Sequence, residues 1–264
     1  QDNLATLKAR GWSFIGPESG EMACGENGTG RLSEPETIIE AVAQNLSLNQ
    51  PLLGKTALVT SGPTVEAIDT VRVIANRSSG KQGHAIARAL RDAGADVTLI
   101  SGPVALPDPD GVTTIHVETA EEMLAASMDA LPSDIAVFAA AVADWKPDPA
   151  PSKMKKSDGP PALSFTQNPD ILYTIATLPE GQRPKRVVGF CVESENLIEN
   201  ATAKLNSKNC DIVLANVATS EGSPFGADDN HIMLVDQTGH TDWGPLSKSD
   251  VADKLTRKIV EMML

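Results

Sequence analysis

From Gly54 to the end of the chain, short apolar runs alternate with segments in which apolar residues return every three or four positions. The runs TALVT (56–60), ADVTLISGP (95–103), GVTTIHVE (111–118) and CDIVLANV (210–217) read as strands, the last closing on Asn216. RVVGFCVES (186–194) is another, ending near Phe190, and LSFT (163–166) is a shorter one. DIAVFAAAVADW (134–145) is apolar throughout, as expected of a central strand buried on both faces, and it ends on Asp144. Helical spacing follows several of these runs. Ala85, Ile86, Ala89 and Leu90 share a face of a helix that starts near Gly80 and stops at Gly94. Thr119 and Glu122 form a capping box, and NPDILYTIATL (168–178) reads as a helix capped by Asn168 with Pro169 in its first turn. In ENLIENATAKLNSKN (195–209), Lys204 and Lys208 fall on one face near the C-terminus. A β-hairpin with its turn near Gln237–His240 and an amphipathic helix capped at Ser247 complete the chain. The alternation predicts an α/β fold: three αβα layers around a mostly parallel, Rossmann-like sheet, with a C-terminal hairpin and helix.

Two stretches break this rhythm. About twenty residues without a clear period separate the first strand from its helix, whereas such connections usually take about two to six. The segments SGPT and NRSSGKQG lie within them, and Ser78, Ser79 and Gly80 can present backbone N–H groups at a helix start, where the dipole favours anions. Only Gly80 and Gly83 flank that start and Ala75 stands five positions before Gly80, so neither the dinucleotide nor the Walker glycine pattern is met. An ordinary capped helix is the plain alternative. The second break is KPDPAPSKMKKSDGPP (146–161), which alternates Pro and Lys and reads as a mobile flap, or else as a solvated loop.

Charge changes the picture. The 264 residues carry a formal net charge of −13, which argues against a nucleic-acid or anionic-membrane partner. Against that background Lys153, Lys155 and Lys156 stand out beside a crevice, since ligands collect beyond the carboxyl ends of parallel strands and Asp144 sits at such an end. Cys24, Cys191 and Cys210 show neither disulfide nor metal spacing, and the four histidines are scattered, so packing or surface roles are expected of them. No run is long enough to span a bilayer, and a reduced, cytoplasmic setting is expected.

Residues 1–50 differ, with a Gly-rich loop and a short helix capped by Ser33 with Glu36 three residues on; taken alone they read as a flexible arm. LATLKARGW at the start reads as the middle of something longer.

The residues SGPTVEAIDTVRVIANRSSGKQG resemble the signature of the phosphopantothenate–cysteine ligase family, the second activity of the fused bacterial coenzyme A biosynthesis enzyme. AAVAD, KMKK, NPDIL and GF…K…KNCD follow in the family's order, so the resemblance covers Gly54 to Leu264. GWSFIGPESGEMACGENGTGRL resembles the C-terminal flap of the FMN-dependent phosphopantothenoylcysteine decarboxylase that forms the other half of that enzyme. The expected organisation is a decarboxylase remnant over 1–46, a linker over 47–53 and a ligase domain over 54–264.

The resemblance implies condensation of 4′-phosphopantothenate with L-cysteine through an acyl-cytidylate, consuming CTP and releasing CMP and pyrophosphate. It implies catalytic roles for Asn76 and Lys153. A nucleotide pocket is implied from Phe138, Ala139, Ala140, Asp144, Lys153, Asn168, Pro169, Asp170, Ile171, Phe190, Lys204 and Lys208. Phosphopantothenate contacts are implied for Gly62, Asn76, Ser78, Ser79, Gly80, Ala140 and Ala141. Mg²⁺ is expected mainly on the triphosphate, with protein ligands unassigned. Cys24 matches a proton donor that serves only an intact decarboxylase, whose FMN-binding body is not expected here. A homodimer is implied, with the decarboxylase domain as partner in the longer chain. Val65, Arg77 and Trp145 depart from the commoner Arg, His and Tyr, and Val65 puts one phosphate contact in doubt. Two other classes compete: a nicotinamide-dependent oxidoreductase, which wants glycines this loop lacks, and a non-catalytic nucleotide-sensing domain.

Overall fold

A computed structural model describes residues 2–21, 27–48, 50–155, 157, 159, 162–193, 195–217 and 229–263, and it divides into two compact units, Gln1–Pro51 and Leu52–Leu264. The first unit holds α1 (Asp2–Ala9), an antiparallel pair β1 (Glu18–Glu21) and β2 (Asn27–Arg31), and α2 (Pro35–Leu48). Its residues thus form regular elements where an arm was expected. The capping box expected at Ser33 does not form: the Ile38 N–H bonds to the Glu34 carbonyl, and the buried Ser33 hydroxyl has no partner among the described residues. Cys24 lies outside the described residues. Helix α2 continues to Leu48, and Leu52 is fully buried.

The second unit is built on an eight-stranded sheet. Its strands in chain order are β3 (Thr56–Ser61), β6 (Asp96–Ser101), β7 (Thr113–His116), β8 (Ile135–Phe138), β11 (Arg186–Glu193), β12 (Ile212–Val217), β13 (Asp229–Asp236) and β14 (Gly239–Ser247). In space they run β14-β13-β12-β11-β8-β3-β6-β7, parallel except for the last hairpin, β13 and β14. Both faces are covered, which is why these strands read as apolar runs. Ala57 and Val59 of β3, Ile135 and Val137 of β8, and Ile212 and Leu214 of β12 pack toward α3 (Lys81–Asp92) and α7 (Lys248–Met263). Leu58, Ala136, Phe138, Val213 and Ala215 point the other way, toward α4 (Ala120–Asp129), α5 (Ile171–Ala176) and α6 (Leu197–Ser207). This is the three-layer Rossmann-like arrangement expected from the alternation. The chain turns from one side of β3 to the other between β7 and β8, which puts the switch point beside β3 and β8.

Five local expectations are corrected. The strand expected over 134–145 ends at Phe138, because the amides of Ala139, Ala140 and Ala141 turn to Thr60 O, Thr60 Oγ1 and Gly62 O. The Ala143 amide goes to Thr64 Oγ1 at 2.9 Å, so the segment runs along 60–64 rather than along the ladder with β11. Asn168 is not a helix cap. The cap of α5 is Asp170, whose Oδ1 accepts the Tyr173 N–H at 2.8 Å, and Pro169 keeps the residue before it out of helical geometry. Strand β11 continues past Phe190 to Glu193, held by its ladder with β12. The aperiodic stretch after β3 contains an antiparallel hairpin, β4 (Val65–Ala67) and β5 (Val73–Ala75). The Pro/Lys segment begins as β9 (Trp145–Pro147), paired antiparallel with β10 (Phe165–Gln167).

Candidate functional site

A cleft of about 770 Å³ opens over the carboxyl ends of β3, β8, β11 and β12. Each wall comes from a segment that leaves the sheet there. Asn76, Ser78, Ser79 and Gly80 enter after β5, and Lys81, Gln82 and Gly83 supply the first turn of α3. Phe138, Ala139, Ala140, Ala141 and Asp144 follow β8; small side chains here leave the backbone open to close approach. Asn168, Pro169, Asp170 and Ile171 come from the entry to α5, and Phe190, Lys204 and Lys208 from β11 and α6. Sixteen of the positions marked in the sequence are thus brought together; Gly62, Lys153 and Cys24 are not among the lining residues. Gly62 sits just behind the wall, where φ is +76° and a Cβ would meet Val104 Cγ1 at 2.9 Å and the Gly102 carbonyl at 3.0 Å. Lys153 is exposed on the segment after β9.

The N-terminus of α3 faces the cleft. Gly80 precedes the helix at φ 73°, a backbone state that suits glycine, and as N-cap it has no side chain of its own to cap the first turn. A turn left so carries partial positive charge and N–H donors toward whatever anion lies in front of it. Beneath it, Ser61 donates its hydroxyl to the Gly80 carbonyl at 2.9 Å and meets His84 Nδ1 at 2.9 Å. His84 is fully buried, and burial lowers its pKa below the usual imidazole value. The neutral ring is therefore a packing group that shapes the turn, not a proton carrier for the cleft.

The charge pattern is local and cationic. Lys81, Lys204, Lys208 and Lys248 line the cleft against Asp144, Asp170 and Glu193, although the chain as a whole is strongly acidic. Lys204 Nζ donates to the Phe190 carbonyl at 2.8 Å, which holds the ammonium at the end of β11. Lys208 pairs with Asp170 Oδ2 and lies 6.0 Å from the centre of the Tyr173 ring. Asp170 thus caps α5 with one oxygen and fixes a lysine with the other. Asn76 donates its side-chain amide to the Val142 carbonyl at 2.9 Å and the Ala141 carbonyl at 3.4 Å. Asn168 does the same to the Ala143 carbonyl at 2.8 Å, leaving its buried Oδ1 without a partner among the described residues.

Sequence reasoning missed part of the wall. Asn216, at the end of β12, is buried with Oδ1 likewise unpartnered among the described residues, and Lys248 opens α7 on the same cleft. The strand-end position of Asn216 was a usable signal; nothing local marks Lys248. Cys191 also lines the cleft, but burial pushes its thiol up to about 11, and that of Cys210 to about 12, so neither is an activated nucleophile. Among the described residues no group of three or more His, Cys, Asp or Glu side chains could hold a metal, and no helix is long and apolar enough to cross a membrane.

The comparisons with known proteins agree with one another. The family model described as "DNA/pantothenate metabolism flavoprotein C-terminal domain" matches residues 52–263. The chain is 44% identical over 263 residues to the coenzyme A biosynthesis bifunctional protein CoaBC of Haemophilus influenzae, covering 99% of this chain and 65% of the relative. It is 41% identical to the protein of the same name from Vibrio vulnificus, covering 100% of this chain and 66% of the relative. It therefore spans about two thirds of the length of these relatives. The crystal structure of the C-terminal domain of a CoaBC protein superposes with a TM-score of 0.69 at 34% identity, covering 81% of this chain and 98% of that one.

Proposed function

The chain belongs to the family of the DNA/pantothenate metabolism flavoprotein C-terminal domain, and from that membership we propose that it is a phosphopantothenate–cysteine ligase of coenzyme A biosynthesis. The observation that carries the reading is the cleft: segments scattered from Asn76 to Lys208, and resembling the ligase motifs in order, converge on one cationic crevice at the switch point.

In this reading the carboxylate of 4′-phosphopantothenate attacks the α-phosphorus of CTP. The bond to pyrophosphate breaks and an acyl-cytidylate forms. The cysteine amine then attacks the acyl carbon, the C–O bond to CMP breaks, and the amine loses its proton. The first turn of α3, with Ser78, Ser79 and Gly80, offers N–H donors to the substrate side together with Asn76, Ala140, Ala141 and the nearby Gly62. The nucleotide lies against Phe138, Ala139, Ala140 and Asp144, with Asn168–Ile171 on one flank and Phe190, Lys204 and Lys208 on the other. Lys153 reaches the triphosphate from the segment after β9, where positive charge stabilises the transferring phosphoryl group. Asn76 supplies a neutral donor at the reacting carbonyl. Mg²⁺ travels on the triphosphate, and no step is assigned to a protein-held metal. The same reading includes a cytoplasmic homodimer, the 1–46, 47–53 and 54–264 organisation, and a decarboxylase partner domain that would carry FMN.

The test is stepwise. CTP, Mg²⁺ and 4′-phosphopantothenate should yield pyrophosphate without cysteine, and adding cysteine should release CMP and the amide. ATP in place of CTP reads out nucleotide choice. Pyrophosphate release that ignores phosphopantothenate, or none at all, overturns the proposal.

A further inference from the structure

The β4–β5 hairpin carries Asn76 at its base and grips a distant segment at its tip. The base is fixed: the Val65 amide bonds to Glu118 O at 2.8 Å, Glu66 Oε1 accepts the Ala120 amide at 3.0 Å, and Thr64 Oγ1 accepts the Ala143 amide. At the tip, the side chain of Asp69 is 0% exposed and accepts five hydrogen bonds. Two come from the Val71 and Arg72 amides at 2.8 and 2.9 Å, which close the turn itself. Two more come from the Arg72 guanidinium, Nε at 3.0 Å and Nη2 at 2.5 Å. The fifth crosses 85 residues of chain, from the Met154 amide at 3.1 Å. Arg72 Nη2 also donates to the Met154 carbonyl at 3.2 Å, and the Ala150 amide donates to the Ile68 carbonyl at 2.9 Å.

A turn needs only the first two of these bonds. Burying a carboxylate is costly unless its lone pairs are met, and here the guanidinium beside it, then the backbone amides, hold it well below the usual carboxylate range. The bonds that involve Met154 and Ala150 fasten residues 150–154, and Lys153 is the neighbour of the residue held on both its N–H and its C=O.

We propose that Asp69 is a positioning residue for the ligase reaction: by anchoring Met154 it makes the hairpin a single unit that holds Lys153 at one end and Asn76 at the other. The inference rests on the ligase reading of the cleft. It assigns Asp69 no contact with substrate, and its effect is felt through Lys153. Displacement of a catalytic group by about 1 Å can cost on the order of a hundredfold in rate.

Amide exchange in the unmodified chain tests the anchor without reference to activity. The Met154 amide should exchange at least about 10-fold more slowly than an unprotected amide, as a bonded, anchored group does. Exchange at the unprotected rate overturns the proposal whatever the variants do. In Asp69→Asn the Met154 amide should lose protection and trypsin should cut after Lys153 faster than in the parent. Phosphopantothenate-dependent pyrophosphate release should fall about 10- to 100-fold. Phosphopantothenate affinity by calorimetry should stay within about twofold, because the α3 turn is untouched; a larger loss of affinity marks general damage and overturns the assignment. Freed Met154 with parental pyrophosphate release overturns it as well. A parent that releases no pyrophosphate sinks the ligase reading instead, and Met154 protection distinguishes that failure from failure of the anchor.

Discussion

Asn76 shows how a single side chain is placed here, because its amide is tied to the Val142 and Ala141 carbonyls on the segment that peels away from β8. In Asn76→Ala the activation step should survive and the second step should slow by about 10²–10³, as on loss of one donor at a reacting carbonyl. Rapid-quench analysis should find the acyl-cytidylate accumulating; a variant slow before activation would make Asn76 a binding group only. Lys153→Met should do the converse, stopping pyrophosphate release with little change in melting temperature, since the side chain is exposed. Near-parental release would remove Lys153 from the mechanism. His84 gives a pH prediction. Its folded pKa lies below the ordinary value of about 6.5, with Arg88 and His116 lowering it further and the Gly80 carbonyl and Asp108 opposing. Above that value the ring is neutral in both states. As pH falls through it the unfolded chain takes up a proton that the folded chain resists, so stability drops. Urea midpoints should therefore decline from about pH 7.5 to about 5.5 more steeply in the parent than in His84→Gln. Equal slopes would show that another group governs that range.

Helix α3 and strand β3 are the pair that sets the anion-facing turn, and their spacing is tight. A Cβ on Gly83 would come within 2.5 Å of Ser61 Cβ and Oγ and 3.0 Å of its Cα. Gly83→Ala should destabilise the fold by about 1–3 kcal/mol, the usual range for overpacking. Because the clash pushes α3 outward at its first turn, phosphopantothenate affinity should fall too. Denaturation curves that match the parent would show that the helix and strand can separate without cost. The same contact explains why the sequence places glycine here inside an otherwise strong helical pattern. The hairpin β4–β5 is the other element that matters, since it spans from the cleft to the Pro/Lys segment.

For the whole molecule, the proposed homodimer follows from the family reading and from the hairpin, whose Val71 and Val73 are 62% and 53% exposed. Sedimentation at micromolar concentration should give twice the chain mass; a monomer would sink the dimer. The first unit is proposed as decarboxylase-derived, so the chain supplied with FMN should not decarboxylate phosphopantothenoylcysteine. Cys24→Ala should leave ligase turnover at the parental rate. A large loss in that variant would mean that residues 1–46 serve the ligase site.

The sequence alone determined the layers of the second unit. Continuous apolar runs and helical faces of period 3.6 are local consequences of burial, so β3, β8, β12, α3 and α7 could be read from TALVT, IAVF, IVLAN, the Ala85–Leu90 face and the sixteen residues Lys248–Met263. Capping by Thr119 and by Ser247 was equally readable, because cap and amide are three residues apart. Only the tertiary structure decided what depends on pairing between distant positions. It turned Asn168 from a cap into a donor to Ala143, ended the central strand at Phe138 in favour of Thr60 and Thr64, and folded 65–75 into a hairpin gripping Met154. It also brought Asn216 and Lys248 to the cleft. Bonds between a side chain and a far-off carbonyl or amide leave no periodic trace in the chain, because any polar residue there satisfies the local pattern equally well; the folded sheet alone selects the partner.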